Sequence, residues 1–285
     1  MEDWELSSSI EQYRRGRIDR RDLLQSLIAL TGSYMAAHLF LESSGLAASL
    51  VSQVETQRTN LDAQTVRYPS GQVQVEAYLV KPNRDGRNSA VIVIHENRGL
   101  NEHIRDVARR FAAEGFVALA PDLLSRVGGT ASMRTPQQAT EAINAIPASD
   151  SVEDLKAGFV YLAGLPEADP EKISSIGFCW GGWRSFMLAT EEPRLRRSVV
   201  FYGSTPARGL EKIQAPVLAH YAQLDHRITG NAITTEKAME QFGKKYTYHV
   251  YPGAYHAFFN DTGPRYDTAA AKLAWERTLE FLRSG

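Results

Sequence analysis

A glycine-rich turn around the only cysteine constrains the fold of this chain more than any other feature. The turn occupies residues 177–182 and has the sequence GFCWGG. A strand-like run at residues 172–176 precedes it, and helix-like sequence follows from about Trp180. A residue raised on such a sharp strand-to-helix turn leaves no room for side chains on its neighbours, which explains the two flanking glycines. The pattern is typical of a nucleophile elbow, with Cys179 where serine is more usual, and it predicts acyl-transfer chemistry.

Cys179 has two interpretations. The peptide N–H groups at the start of the following helix can stabilise a thiolate and later an oxyanion, which favours a nucleophile. A lone cysteine is otherwise more often a buried structural residue. The flanking glycines favour the nucleophile, and the N–H of Trp180 is then predicted to form part of an oxyanion hole.

The rest of the sequence alternates strand-like and helix-like runs. Residues 73–80 alternate as in a half-buried strand, and residues 91–94 form a continuous apolar run of the buried parallel type. Further strands are predicted at 116–120, 198–202, 216–221 and 246–251, and helices at 104–114, 152–165, 232–242 and 266–283. This order predicts an α/β fold with a mostly parallel central sheet flanked by helices. Residues 125–149, which contain glycines and prolines, are expected to form a mobile cap over the site.

A nucleophile of this kind needs a base and an acid that orients the base, and both are expected later in the chain. Among the later histidines, His256 lies in a turn-rich loop, whereas His220 and His249 lie in strand-like runs and are predicted to belong to the sheet. Asp225 ends a run that begins as a buried strand, a position from which a carboxylate can orient an imidazole. The alternative for Asp225 is a cap on the next helix, and His226 stays open as a second candidate base.

Glu96 is a further candidate catalytic residue. It follows the buried strand at 91–94 and therefore lies at the carboxyl edge of the sheet, where the active sites of α/β proteins form. The alternatives are a cap on the helix near Asn101 or an ion pair with Arg98.

Several motifs occur together in one order along the chain. They are HENRGLN at residues 95–101, APDL at 120–123, the turn around Cys179, Asp225, and HAFFNDTGPRY at 256–266. With these motifs the chain resembles the dienelactone hydrolase (carboxymethylenebutenolidase) family from about residue 73 to its C-terminus. The resemblance implies an α/β-hydrolase fold and hydrolysis of a carboxylic ester or lactone by Cys179, His256 and Asp225. It also implies a cysteinyl acyl-enzyme and no cofactor.

The resemblance assigns roles to two residues of the first motif. Glu96 is implied to contact the resting cysteine and to swing away when substrate binds, which helps His256 to form the thiolate. Asn97 is implied to supply the second N–H of the oxyanion hole, beside that of Trp180.

Substrate recognition departs from the family pattern. Arg126 matches the first of two arginines that hold the carboxylate of dienelactone in the family. The second position is Asn260, which carries no charge, although Arg265 lies nearby in sequence. This departure widens the expected substrates to neutral or larger esters. The alternative for Arg126 is a solvated loop residue.

The first sixty residues lie outside the resemblance, and the catalytic domain is assigned to residues 61–285. Arginine pairs at 14–15 and 20–21 precede a mainly apolar run at 23–41, as in a twin-arginine export signal, but acidic residues interrupt the pattern. We expect a retained helical extension that packs on the body or on a second subunit of a homodimer. An export signal, which would give a periplasmic protein, and a membrane anchor are the alternatives. Stable membrane insertion is not expected, because a span needs ~20 more consistently apolar residues.

Composition favours an enzyme domain acting on a small molecule. The 285 residues are 43% hydrophobic and 23% charged, which suits one sizeable core. A formal net charge of -1 gives no reason to expect nucleic acid. The spacing of His95 and His103 is not that of a helical metal site, so no metal is predicted. A single reactive thiol is easier to keep reduced in a cytosol, so we expect a cytoplasmic location.

Two other functions stay open. The chain could be a related hydrolase that acts on a thioester or an activated amide. It could also be a non-catalytic protein that binds a small carboxylate or a partner protein in the same fold. The joint presence of Cys179, Asp225, His256 and Glu96 argues against the second function, because such drift usually removes one member of the set.

Overall fold

The computed structural model of the protein describes residues 61–284, together with the helical residues 8, 9, 11, 12, 23 and 26. The chain divides into two compact units, Met1–Thr59 and Asn60–Gly285. The predictions made for residues 1–60, namely an extension, an export signal or a dimer contact, lie almost entirely outside the described residues.

An eight-stranded sheet forms the centre of this unit, in the order β1-β2-β4-β3-β5-β6-β7-β8. The strands are β1 (Asp62–Ser70), β2 (Val73–Lys81), β3 (Asn88–Ile94), β4 (Val117–Pro121), β5 (Ala168–Phe178), β6 (Ser198–Phe201), β7 (Val217–Ala222) and β8 (Tyr246–Tyr251). Strands β1 and β2 pair antiparallel with each other, β2 pairs antiparallel with β4, and every other pairing is parallel. The predicted mostly parallel sheet is therefore confirmed.

Helices cover both faces of the sheet. They are α1 (Glu102–Ala113), α2 (Pro136–Ala145), α3 (Ala148–Ala163), α4 (Trp180–Glu191), α5 (His226–Thr229), α6 (Ala232–Gln241) and α7 (Thr268–Arg283). Helices α1 and α7 pack with Val91 and Val93 on one face, and α3, α4 and α6 pack with Ile92 and Ile94 on the other. Because its side chains are buried on both faces, β3 has the continuous apolar sequence of an interior parallel strand.

Strand β1, helix α2 and the one-turn helix α5 were not among the elements predicted from the sequence. Strand β1 has mostly exposed side chains and pairs only with β2 at the edge of the sheet, so it carries little apolar signal. Helix α2 lies inside the segment 125–149 that was expected to be a mobile cap. It begins with Thr135 as N-cap, whose side chain accepts a hydrogen bond from the Gln138 N–H, followed by proline at the first helical position.

Among the helices that the structure describes, none has both the length and the apolar character needed to cross a membrane.

Candidate active site

Five polar or reactive side chains follow the carboxyl ends of five parallel strands. They are Glu96 after β3, Cys179 after β5, Tyr202 after β6, Asp225 after β7 and His256 after β8. Because these strands end at the same edge of the sheet, the five residues come from distant parts of the chain to one side of the molecule.

The turn at Cys179 has the backbone strain of a nucleophile elbow. Strand β5 ends at Phe178, helix α4 begins at Trp180, and Cys179 between them has φ 56° and ψ −115°. A positive φ is uncommon for a residue with a side chain, and such strain concentrates at functional sites. A Cβ on Gly177 would lie 1.9 Å from the Gly181 carbonyl oxygen, so the glycine is required by close backbone approach.

Backbone hydrogen bonds fix the turn. The Cys179 N–H donates to the Phe201 carbonyl at 3.0 Å, and the Gly182 N–H donates to the Cys179 carbonyl at 3.0 Å. A Cβ on Gly181 would lie 2.3 Å from the His95 carbonyl oxygen, so α4 starts in contact with the end of β3. The strained conformation is thus held by neighbours on both sides.

The Cys179 thiol is protonated in this environment. Burial raises its pKa to about 11, with a further contribution from the Glu96 carboxylate. The Trp180 N–H, which donates to the sulfur, and the positive charge of Arg265 act in the opposite direction. A thiol of this pKa needs a base before it can act as a nucleophile near neutral pH.

His256 and Asp225 form a directly bonded pair. The His256 Nδ1 lies 2.5 Å from Asp225 Oδ2, and both side chains are largely shielded from solvent. Asp225 precedes α5, but its side chain caps no N–H of that helix, so the capping alternative is wrong. With Nδ1 held on a carboxylate, Nε2 is the ring nitrogen left to exchange a proton.

Glu96 is held by a contact that sequence reasoning missed. Its Oε2 accepts a hydrogen bond from Asn260 Nδ2 at 2.9 Å. Asn260 Oδ1 accepts from the Thr262 N–H at 3.1 Å and from its hydroxyl at 2.7 Å, which orients the amide so that Nδ2 faces Glu96. The cap of α1 is Asn101, whose Oδ1 accepts from the Ile104 N–H at 3.1 Å. Glu96 therefore does not cap that helix.

His95 fixes the backbone beside Glu96. The Leu123 N–H donates to His95 Nε2 at 3.1 Å, so the proton is on Nδ1, which lies 2.7 Å from the Glu96 carbonyl oxygen and donates to it. The His95 ring also stacks on the Trp180 indole, with centroids 5.8 Å apart. No such backbone-fixing role was predicted for His95 from the sequence. Its place in the HENRGLN motif was the only signal that pointed to this residue.

The two predicted oxyanion-hole residues come from different elements of the fold. Trp180 is the first residue of α4. Its indole contacts the His95 ring and the Arg184 guanidinium, whose Cζ lies 4.2 Å from the indole ring centroid. Asn97 lies in the turn after β3, and its carbonyl accepts a hydrogen bond from the Thr140 hydroxyl at 3.2 Å. Helix α2 thus contacts the loop that carries Asn97.

Arg126 has a partner within the protein. Its Nε and Nη2 each lie 2.8 Å from an oxygen of Asp154, a bidentate ion pair, and Asp150 lies close by. Arg126 is therefore not simply a solvated loop residue. To hold a substrate carboxylate, as the sequence predicted, its guanidinium would have to leave Asp154.

Within the described part of the chain, no cluster of three or more histidine, cysteine or acidic side chains has the arrangement of metal ligands.

The sequence model of the dienelactone hydrolase family matches residues 75–285. The chain belongs to the dienelactone hydrolase family. A "Putative carboxymethylenebutenolidase" from Saccharolobus solfataricus is 34% identical over 253 residues, covering 76% of this chain and 96% of the relative. A relative of the same name from Methylorubrum extorquens is 31% identical over 243 residues, which cover 81% of this chain and 84% of the relative.

Solved structures agree with this membership of the dienelactone hydrolase family. The crystal structure of a "Putative Dienelactone Hydrolase" from Klebsiella pneumoniae superposes with a TM-score of 0.73 at 30% identity, covering 79% of this chain and 99% of the other. An acylaminoacyl peptidase from Pyrococcus horikoshii, at 13% identity and TM-score 0.62, shares the fold alone. The predicted α/β-hydrolase fold is confirmed, and the protein is a hydrolase of this family.

Proposed function

We propose that this protein hydrolyses a carboxylic ester or lactone through a cysteinyl acyl-enzyme, with Cys179 as nucleophile, His256 as base and Asp225 as the acid that orients it. The observation that carries the proposal is Cys179 on a strained strand-to-helix turn, at the sheet edge that also holds the bonded His256–Asp225 pair. Membership of the dienelactone hydrolase family supports the same chemistry.

The first step forms the nucleophile. The thiol proton moves from Cys179 Sγ to Nε2 of His256 as sulfur attacks the carbonyl carbon, and the Asp225 carboxylate stabilises the imidazolium. In the resting protein the Glu96 carboxylate raises the pKa of the thiol. Movement of Glu96 away from the sulfur on substrate binding would lower the cost of forming the thiolate.

The tetrahedral intermediate carries its negative charge on the former carbonyl oxygen. The N–H groups of Trp180 and Asn97 are proposed to donate to this oxyanion. When the intermediate collapses, the C–O bond to the leaving group breaks, His256 returns its proton to the departing alkoxide or enolate, and a thioester remains on Cys179.

Water completes the reaction. His256 takes a proton from the water as the water oxygen attacks the thioester carbonyl. Collapse of the second intermediate breaks the C–S bond, and His256 returns the proton to Cys179 Sγ. The products are the free carboxylic acid and the Cys179 thiol. For a lactone, an enolate that departs without taking the His256 proton stays attached to the acyl chain and can take the proton from water itself. His256 then keeps its proton until it gives it to Cys179 Sγ.

Neutral esters are the proposed preference. Asn260 is uncharged and is hydrogen-bonded to Glu96, and Arg126 is paired with Asp154. Neither of the two positions that recognise the dienelactone carboxylate in the family therefore offers a free positive charge for it.

The test is hydrolysis of p-nitrophenyl acetate and of dienelactone by the wild-type protein and by Cys179→Ala. We expect turnover of at least one substrate, a higher kcat/KM for the neutral ester, and loss of activity in the variant. Intact-mass measurement after rapid acid quench is expected to show one acetyl group on the wild-type protein and none on Cys179→Ala.

A matched control is Ser204→Ala, because Ser204 lies in the loop after β6 and is given no role in the reaction. Its kcat/KM should equal that of the wild type. Turnover by Cys179→Ala at the wild-type rate, or a wild-type protein inactive on both substrates, would refute the proposed reaction.

A further inference from the structure

Tyr202 lies beside the nucleophile on the neighbouring strand. Phe178 of β5 pairs with Phe201 of β6, so the next residue on each strand, Cys179 and Tyr202, comes at the same edge of the sheet. Tyr202 has φ 40°, a value rare for a bulky side chain. Like Cys179, it is therefore held in a strained backbone conformation next to the reaction centre.

The Tyr202 hydroxyl is buried without a partner. The residue is 1% exposed, and among the described residues no donor or acceptor lies within hydrogen-bonding distance of its oxygen. Buried hydroxyls in folded proteins are almost always hydrogen-bonded, because an unpaired one loses its bonds to water without replacement. Among the described residues the hydroxyl therefore makes no hydrogen bond that would offset the cost of burying it.

The side chains around Tyr202 belong to the proposed reaction. Its ring lies 5.0 Å from the His256 ring, centroid to centroid. Burial raises the pKa of the Tyr202 phenol well above its usual value, and the Glu96 carboxylate and Cys179 raise it further. The phenol therefore keeps its proton and can donate a hydrogen bond to an acceptor that enters the site.

We propose that Tyr202 is a catalytic residue whose hydroxyl donates a hydrogen bond to an oxygen of the ester or lactone bound at Cys179, with the bond strongest in the tetrahedral intermediate. This inference rests on the proposed function. Substrate supplies the acceptor that the fold lacks, so the bond contributes to the reaction and not to folding. A donor that the fold leaves unsatisfied can form this bond without breaking another hydrogen bond within the protein.

The test compares Tyr202→Phe with Tyr221→Phe, alongside the wild type and Cys179→Ala. Tyr221 is a buried tyrosine of β7 whose hydroxyl lies 2.9 Å from the Tyr246 hydroxyl, so it is a satisfied counterpart. For Tyr202→Phe we expect kcat for p-nitrophenyl acetate to fall about 10- to 100-fold with little change in KM, and Tm to stay equal or rise. For Tyr221→Phe we expect unchanged kcat and a Tm lower by about 2–4 °C.

The outcomes separate this inference from the proposed function. Wild-type activity that is lost in Cys179→Ala but retained in full by Tyr202→Phe overturns the role of Tyr202 alone. A Tm loss in Tyr202→Phe as large as that in Tyr221→Phe also overturns it, because the hydroxyl would then have a partner in the fold. Inactivity of the wild type on both substrates refutes the proposed function and this inference with it.

Discussion

His256 and His220 lie at adjoining strands of one sheet, and their partners give them opposite properties. His256, in the loop after β8, has a carboxylate on Nδ1 and lies partly open to solvent. His220, inside β7, is fully buried, with Nδ1 2.9 Å from the Tyr251 hydroxyl and Nε2 3.0 Å from the Thr278 hydroxyl. The first ring has one nitrogen on a carboxylate, whereas the second has both nitrogens on hydroxyl groups.

The electrostatics of the buried ring follow from these surroundings. Burial lowers the pKa of His220 well below its usual value, and electrostatic repulsion from His249 and Arg277 lowers it further. Hydroxyl groups can donate or accept, so they satisfy a neutral imidazole but give a protonated one no negative charge. A histidine buried among hydroxyls therefore stabilises the fold, and one paired with a carboxylate at a strand edge suits acid–base chemistry.

The largest expected effect belongs to His256. We expect His256→Ala to lower kcat/KM for p-nitrophenyl acetate by about 10³–10⁴-fold, because the thiol loses its proposed base. The fold should lose little stability, since the side chain lies in a loop at the sheet edge. Steady-state kinetics and a urea denaturation curve measure the two quantities on one sample.

Asp225→Asn is the matched control for that variant, because it gives His256 a neutral partner of nearly the same shape. An intermediate loss of kcat/KM is expected, since the imidazole remains but its protonated form is less stabilised. Wild-type kinetics in His256→Ala would contradict the proposed base and reopen His226.

His220 is expected to show the reverse pattern. His220→Ala leaves a cavity and removes a partner from the Tyr251 and Thr278 hydroxyls, so the free energy of unfolding should fall by about 2–4 kcal/mol. The kcat of the molecules that stay folded should be close to that of the wild type. Urea denaturation with kinetics at low temperature checks both values.

Thr278→Val is the companion variant for His220. It removes one of the two hydroxyl partners and should cost about 1–2 kcal/mol. A large loss of kcat in a well-folded His220→Ala protein would contradict the contrast between His220 and His256, because it would show that the buried ring takes part in the reaction.

The smallest effect is the pH dependence of stability. The pKa of His220 in the folded protein lies below its value of about 6.5 in the unfolded chain. As the pH falls below 6.5, the His220 ring therefore becomes protonated in the unfolded chain but stays neutral in the folded protein. The contribution to stability is fully present above pH 6.5 and declines at lower pH by about 1.4 kcal/mol per pH unit until the folded ring is also protonated.

Urea denaturation of the wild type and His220→Ala at pH 7.5, 6 and 5 measures this slope. The difference between the two slopes isolates His220, because other titrating groups contribute to both proteins. Equal slopes would show that the ring titrates alike in the folded and unfolded states.

Much of the fold followed from local patterns. The apolar run of β3 indicated a strand buried on both faces. The glycines around Cys179 indicated a sharp strand-to-helix turn. Strand β1 and helix α2 were missed for a physical reason. Their exposed side chains carry little apolar periodicity, and pairing with β2 or contact with the loop of Asn97 holds them in place.

By itself the sequence determined the order of the strands from β2 onward and of the longer helices other than α2. It also determined the elbow at Cys179 and the positions of Glu96, Asp225 and His256 after strand ends. These depend on backbone conformation and on periodicity over a few residues, which a sequence records directly.

Only the tertiary structure decided which partner each polar side chain has. It paired Arg126 with Asp154, bound Asn260 to Glu96 and enclosed His220 between two hydroxyls. It also left the Tyr202 hydroxyl without a partner among the residues that the structure describes. Such contacts join residues far apart in the chain. Their geometry is set by how the elements pack, and no local pattern contains that information.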